Sequence, residues 1–178
     1  MSTNYYSWTF MVDAQAQVPA PDAVRPLIQS VSAECRGVDI VSRGDWCAWT
    51  LVKMARRADS AALDFLEGTA EETRVVDDDD QPWGVTMLRT SAIEPARAVI
   101  EALRRRMRED AAWFIPFFND SRWNDSEILA LVARPEVESR DEGVGPGYCV
   151  GVLNELAGLL RDAQAEGKAI AHVRLLLE

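Results

Sequence analysis

A chain of 178 residues, 48% of them apolar, is long enough for one domain and apolar enough to bury a sizeable core. Its 29 acidic residues outweigh 19 basic ones, for a formal charge of −10 at pH 7. A field of that sign repels phosphate backbones and anionic lipid, which argues against nucleic acid and membrane as partners and for a basic protein surface.

Tyr6, Trp8, Phe10 and Val12 alternate with Tyr5, Ser7, Thr9 and Met11, the period-two pattern of a half-buried strand. Val24, Leu27, Ile28, Val31 and Cys35 then fall on one helical face, with Asp22 placed to cap it and Gly37 to end it. Val38 to Ser42 and Asp45 to Met54 read as two strands joined by a hairpin at Arg43-Gly44. Trp46, Ala48, Thr50, Val52 and Met54 form one face of the second. Asp59 to Gly68 suggests a short helix with Leu63 and Leu66 inward, before an acidic loop at 69–82.

A strand is expected over Trp83 to Thr90. Ser91-x-x-Glu94 has the form of a capping box, opening a helix with Ala96, Val99, Ile100, Leu103 and Met107 inward. Ala111 to Trp123 is aromatic and interrupted by Pro116. Ile128 to Ala133 fits either a buried strand or a short helix, and the polar, Gly-rich stretch 136–147 reads as a loop. A last helix spans Tyr148 to Glu166 with Gly167 as its stop, and Ala169 to Leu177 closes as a strand. The expected architecture is α+β, a mainly antiparallel sheet with helices on one face, in a single domain over 1–178.

Cys35, Cys47 and Cys149 show no C-x-x-C pair and no metal-ligand spacing, so reduced thiols, a cytoplasmic setting and no metal site are expected. Met1 to Val12 lacks the basic start and apolar run of a secretion signal, and no stretch is long enough to span a bilayer.

The charge is not spread evenly. From Asp59 to Asp80 there are nine acidic residues against Arg74 alone, so this one segment carries −8 of the net −10. Adjacent carboxylates repel one another, and Asp77, Asp78, Asp79 and Asp80 become favourable only when cations approach. Glu71 and Glu72 precede them, and Trp83 follows. Trp123, flanked by Asp120 and Asp125, supplies the other expected anchor for a basic partner, although the aromatic cluster of Trp113, Phe114, Phe117 and Phe118 fits a core better. An EF-hand is ruled out, because its sixth and twelfth positions are Pro82 and Leu88.

Two short stretches resemble enzyme motifs. Arg74-Val75-Val76 leading into Asp77-x-Asp79 is similar to the D-x-D that holds a divalent ion in nucleotide-sugar glycosyltransferases. Arg140, Gly143 and Gly145 are spaced as in the R-x-x-G-x-G loop of acetyl-CoA-dependent N-acetyltransferases, where backbone N–H groups cradle a pyrophosphate at a helix N-terminus. That resemblance implies an acyl-CoA cofactor and a strand at Ile128 to Ala133. Against it, Pro146 lacks an N–H, and Glu136, Glu138, Asp141 and Glu142 would repel the phosphates.

His172, the only histidine, shares a strand face with Arg174 and reads as half-exposed, and no nucleophile motif accompanies it. Arg104 to Arg108 reads as a solvated face neutralised by Glu101 and Glu109. No catalytic residues and no cofactor are therefore expected. The sequence looks in overall character like an immunity protein that caps the basic cleft of a toxin or effector domain. A chaperone or adaptor for a secreted protein is the other binding role, and an N-acetyltransferase the enzymatic alternative.

Overall fold

The strand expected first is present as β1 (Asn4–Val12) in the computed structural model of the chain, which describes residues 4–20, 23, 26, 37–43, 46–68, 73–78, 81–118, 123–133 and 145–175. After it come β2 (Gly37–Arg43), α1 (Trp46–Arg57), a 3-10 turn (Asp64–Glu67), β3 (Thr73–Asp78) and β4 (Gln81–Leu88). Next are α2 (Thr90–Glu109), a second 3-10 turn (Ala111–Phe114), α3 (Ile115–Phe118), α4 (Asp125–Val132), α5 (Pro146–Glu166) and β5 (Ala169–Leu175). The five strands make one antiparallel sheet in the order β2-β1-β5-β4-β3. Apart from Pro26, the helix expected over Val24 to Cys35 lies outside the described residues.

Strand alternation sorts the sheet into two faces. Met11, Leu88 and Ile170 point to the helices and join a core that includes Leu51, Phe65, Ile100, Phe114, Phe118, Leu153 and Leu160. Phe10, Val85, Met87, Ala171 and Val173 form a smaller cluster on the opposite face, against which Trp8, Val12, Ala16 and Val18 pack. This is the α+β arrangement expected, with the described helices on one face.

Several expectations need correction. Asp45 to Met54 is not a strand, and Arg43-Gly44 is no hairpin: the chain leaves β2 and enters α1. Cys47, Ala48, Leu51, Val52, Met54 and Ala55 are all fully buried on one side of the helix, and Trp49, Lys53, Arg56 and Arg57 are exposed on the other. Such a segment satisfies a period of two by accident, and its Ala, Leu, Lys, Met and Arg content favours helix. Of the helix expected over Asp59 to Gly68, only the 3-10 turn forms, burying Leu66 with Phe65 while Leu63 is buried just before it.

The acidic loop at 69–82 is partly strand. Thr73, Val75 and Val76 are β-branched, and β3 pairs with β4 from Thr73↔Thr86 to Asp78↔Gln81. Pro82 lies near the start of β4, opposite Asp77, and among the described residues β4 pairs with β5 from Trp83↔Leu175 onward.

Ser91-x-x-Glu94 is not a cap. Helix α2 starts at Thr90 with Arg89 as its N-cap residue and no capping side chain. Glu94 instead meets Arg97 at 3.1 Å and accepts a hydrogen bond from Gln164 Nε2 of α5 at 2.8 Å. The inner stripe is as expected apart from Val99, which is half-buried. The capping box that does form belongs to α4: Asn124 Oδ1 accepts from the Glu127 N–H, and Glu127 Oε2 accepts from the Asn124 N–H, both at 3.0 Å. The segment Ile128 to Val132 is therefore helical, with Ala133 as its C-cap. Because α4 has only 8 residues, Asn124→Ala should cost about 1 kcal/mol. Urea unfolding would read that as a lower midpoint with an unchanged slope; an unmoved midpoint would show that packing alone holds α4.

Helix α5 begins two residues earlier than expected, with Pro146 in its first turn, where a missing N–H costs nothing. Pro146 and Gly147 are thus helical and buried rather than loop, and residues 134–144 lie outside those described. Gly167, at φ 63°, ends the helix in the left-handed conformation that glycine adopts readily.

Candidate functional site

The sheet order makes β3 an edge strand, with β4 on its inner side. Asp77 and Asp78 are its last two residues, in register with Pro82 and Gln81. Asp79, Asp80, Glu71 and Glu72 lie outside the described residues. An edge strand suits charge because its outer side faces no other strand, and carboxylates there also discourage edge-to-edge pairing.

The first part of the acidic segment is tied back to α1. Arg56 Nε lies 3.1 Å from Asp64 Oδ1, and Arg56 Nη2 lies 3.7 Å from Glu67 Oε2. One guanidinium thus partly neutralises two of the nine carboxylates.

The other expected anchors are divided between the sheet and the helical layer. Trp83 is in β4, opposite Val76 and Leu175. Trp123 is half-buried, packed against the helical core and over Gly145. Asp125 is exposed in the first turn of α4, where a carboxylate favours the helix dipole. Helix α4 packs on α5, α3 and the second 3-10 turn, whereas β3 packs on β4. Asp120 lies outside the described residues.

Of the R-x-x-G-x-G residues, Arg140 and Gly143 are not among those described. Gly145 is buried as the N-cap of α5, and a Cβ built on it would stand 2.6 Å from Trp123 Cζ2. The strand that should precede such a cradle is the helix α4.

His172 corrects the expectation of a half-exposed residue. It is 1% exposed, because β5 is the middle strand and both its faces are covered. Its Nδ1 lies 2.8 Å from Thr9 Oγ1, and its ring meets Phe65 edge-on at 5.9 Å. Burial lowers its pKa from 6.5 to about 3, the Arg174 cation pushes the same way, and the Leu66 backbone opposes them. The ring is neutral at pH 7 and buried, which is a structural role.

Cys47 and Cys149 are both fully buried, with their sulfurs 3.3 Å apart between α1 and α5. Burial first, and then the neighbouring thiol, push the Cys149 pKa well up, so it stays a thiol and not a nucleophile. Among the described residues no three His, Cys, Asp or Glu side chains gather as metal ligands, and no helix is long and apolar enough to cross a membrane. An open groove of about 650 Å³ beside Met11, Gln15 and Glu166 is bridged by the Asp13–Lys168 ion pair.

The sequence did not reveal the outer face of α1. Trp49 is 44% exposed, and Lys53 Nζ stands 3.2 Å above its ring. The Arg57 guanidinium lies 5.1 Å from the Trp113 ring and 5.3 Å from Phe117, and Arg106 of α2 lies 4.5 Å from Trp113. The i, i+4, i+8 spacing of Trp49, Lys53 and Arg57 was a visible signal, hidden by taking the segment as a strand.

The described architecture is an antiparallel α+β sheet with a helical layer, and no catalytic constellation occurs among the described residues. No protein-family model and no curated protein matches the chain. It is similar to the crystal structure of YfbM from Escherichia coli, described as a protein of unknown function. The two are 16% identical over 96% of this chain and 99% of that one, with a TM-score of 0.44.

Proposed function

We propose that this chain is a protein-binding module that docks a basic partner through the acidic end of its edge strand. Its character is that of an immunity-type protein, acting in the cytoplasm by covering the cationic cleft of a toxin or effector domain. What supports the reading is the position of Asp77 and Asp78: they end the outermost strand, and the sequence continues directly into Asp79 and Asp80. Carboxylates there raise the association rate with a cationic surface and orient the encounter. A sheet edge also offers backbone groups for pairing once contact is made. Trp123 contributes less than its sequence context suggested, since its indole is already packed against the core and Gly145.

The partner is to be recovered by co-purification from the native host. With it in hand, changing Asp77 to Asp80 to Asn should slow association by about tenfold or more at low salt and flatten its salt dependence, with the circular dichroism unchanged. A recovered partner of acidic character, or unaltered association kinetics, would remove the acidic end of β3 from the interface.

A further inference from the structure

We propose that the outer face of α1, with the aromatic turn beside it, is a second docking surface, fitted to an acidic protein segment. It does not depend on the role given to the β3 edge. From Trp46 to Ala58 the chain has no acidic residue and three basic ones, in a protein of net charge −10. Trp49, Lys53 and Arg57 follow one another at four-residue steps, so they make a stripe about 12 Å long on one side of the helix. Arg57 carries that stripe onto Trp113 and Phe117, and Arg106 approaches Trp113 from α2.

Three observations set this surface apart from an ordinary solvated helix face. First, two of its three cations lack carboxylate partners among the described residues. Neither Lys53 nor Arg57 has an ion-pair partner among the described residues, and Arg106 has only Asp110, at 4.0 Å. Arg56, one position round the helix, is by contrast engaged with Asp64 and Glu67. Second, the cations are held in place. A guanidinium lying over an aromatic ring keeps its N–H edge directed outward while losing rotamer freedom in advance, which lowers the entropic cost of meeting an oxygen anion. Third, Trp49 is the exposed large apolar side chain among the described residues, and it lies within the stripe.

Charge complementarity selects an anionic occupant, and two features favour a protein over nucleic acid. The overall negative field opposes a dense polyphosphate more than it opposes a few carboxylates. Trp113 and Phe117 already carry this chain's own guanidinium groups, and the one exposed ring of Trp49, with Lys53 over it, is too little to stack a run of bases. The occupant that fits is an acidic amphipathic segment, with carboxylates reaching Lys53, Arg57 and Arg106 and an apolar side chain on Trp49.

The test uses the full chain and two probes of equal length and charge: a fluorescein-labelled peptide with Glu and Leu at helical spacing, and an oligothymidylate. Fluorescence anisotropy should show peptide binding that weakens at least tenfold from 0.05 to 0.5 M salt. The Lys53→Glu/Arg57→Glu pair should weaken it at least tenfold more, and Arg161→Glu, at an exposed site on α5, less than twofold. If the reversed-charge pair fails to fold by circular dichroism, Lys53→Gln/Arg57→Gln takes its place, with a loss of at least threefold expected. The proposal is overturned if the peptide does not bind or ignores these substitutions. Tighter binding of the oligothymidylate would overturn it in favour of nucleic acid. So would a low-salt dimer, found by sedimentation of the protein alone and abolished by the same substitutions, in favour of a second copy of this chain.

Discussion

Acidification from pH 7 to pH 4 should remove about 3 kcal/mol of stability through His172 alone. The sign follows from where the proton binds. The unfolded ring titrates near 6.5 and the folded ring near 3, so below 6.5 the unfolded state takes up a proton that the native state refuses. The stabilisation is complete above pH 6.5, declines by up to about 1.4 kcal/mol per pH unit as the pH falls, and is gone below about 3. Urea unfolding of the wild type and of His172→Asn at pH 7, 6, 5 and 4 isolates the effect. Carboxylate titration and the easing of the net charge are common to both proteins and cancel in the difference. The wild type should start as the more stable of the two, and the gap should close by about 3 kcal/mol as the pH falls. A gap that stays constant with pH would mean that the imidazole reaches solvent in the native state.

Gly145→Ala is expected to cost about 3 kcal/mol or more, from two sources. At φ 101° and ψ 173° the residue occupies a region that is essentially reserved for glycine. A methyl group there would also stand 2.6 Å from Trp123 Cζ2 and 3.0 Å from Cε2. The indole cannot yield freely, because it packs against the helical core. The two sources separate in a double-mutant cycle with Trp123→Leu. The steric part, about 1 kcal/mol or more, should vanish in that background while the backbone part persists. Independent, additive losses would show that the indole is not what confines Gly145.

Much of the fold could be read from periodicity, and the exceptions share a cause. Strands β1 and β5, the inner stripe of α2 and the Gly167 stop of α5 were legible because the strands alternate polar with apolar residues, the helix repeats apolar ones at its own period, and the stop is a residue with special backbone freedom. Helix α1 was not, because Trp46, Ala48, Thr50, Val52 and Met54 happen to satisfy a period of two beside the helical period that leaves Trp49, Lys53, Arg56 and Arg57 exposed. The ambiguity over Ile128 to Ala133 had its answer four residues upstream, in Asn124-x-x-Glu127, while Ser91-x-x-Glu94 met the same pattern without forming the cap. Whether such a box closes depends on where the preceding strand releases the chain, and that is a tertiary fact. The burial of His172 was hidden for a related reason: alternation tells which side of a strand a residue takes, but not whether the strand lies at the edge or the middle. The acidic segment was legible as charge, though the β3 edge position and the Arg56 clamp were not. The cationic face of α1 needed both the helix and its packing against residues 111–118.

The order β2-β1-β5-β4-β3 makes β5 a keystone. Without it the remaining strands fall into two separate ribbons, β1 with β2 and β3 with β4, each with an unsatisfied inner border lined by Phe10 or by Val85 and Met87. Because β5 follows both ribbons in the chain by a long interval, the contacts that unite the sheet are distant in sequence, which slows folding. Damage confined to β5 does not trim the sheet but divides it, and it turns two interior strands into sticky margins for aggregation.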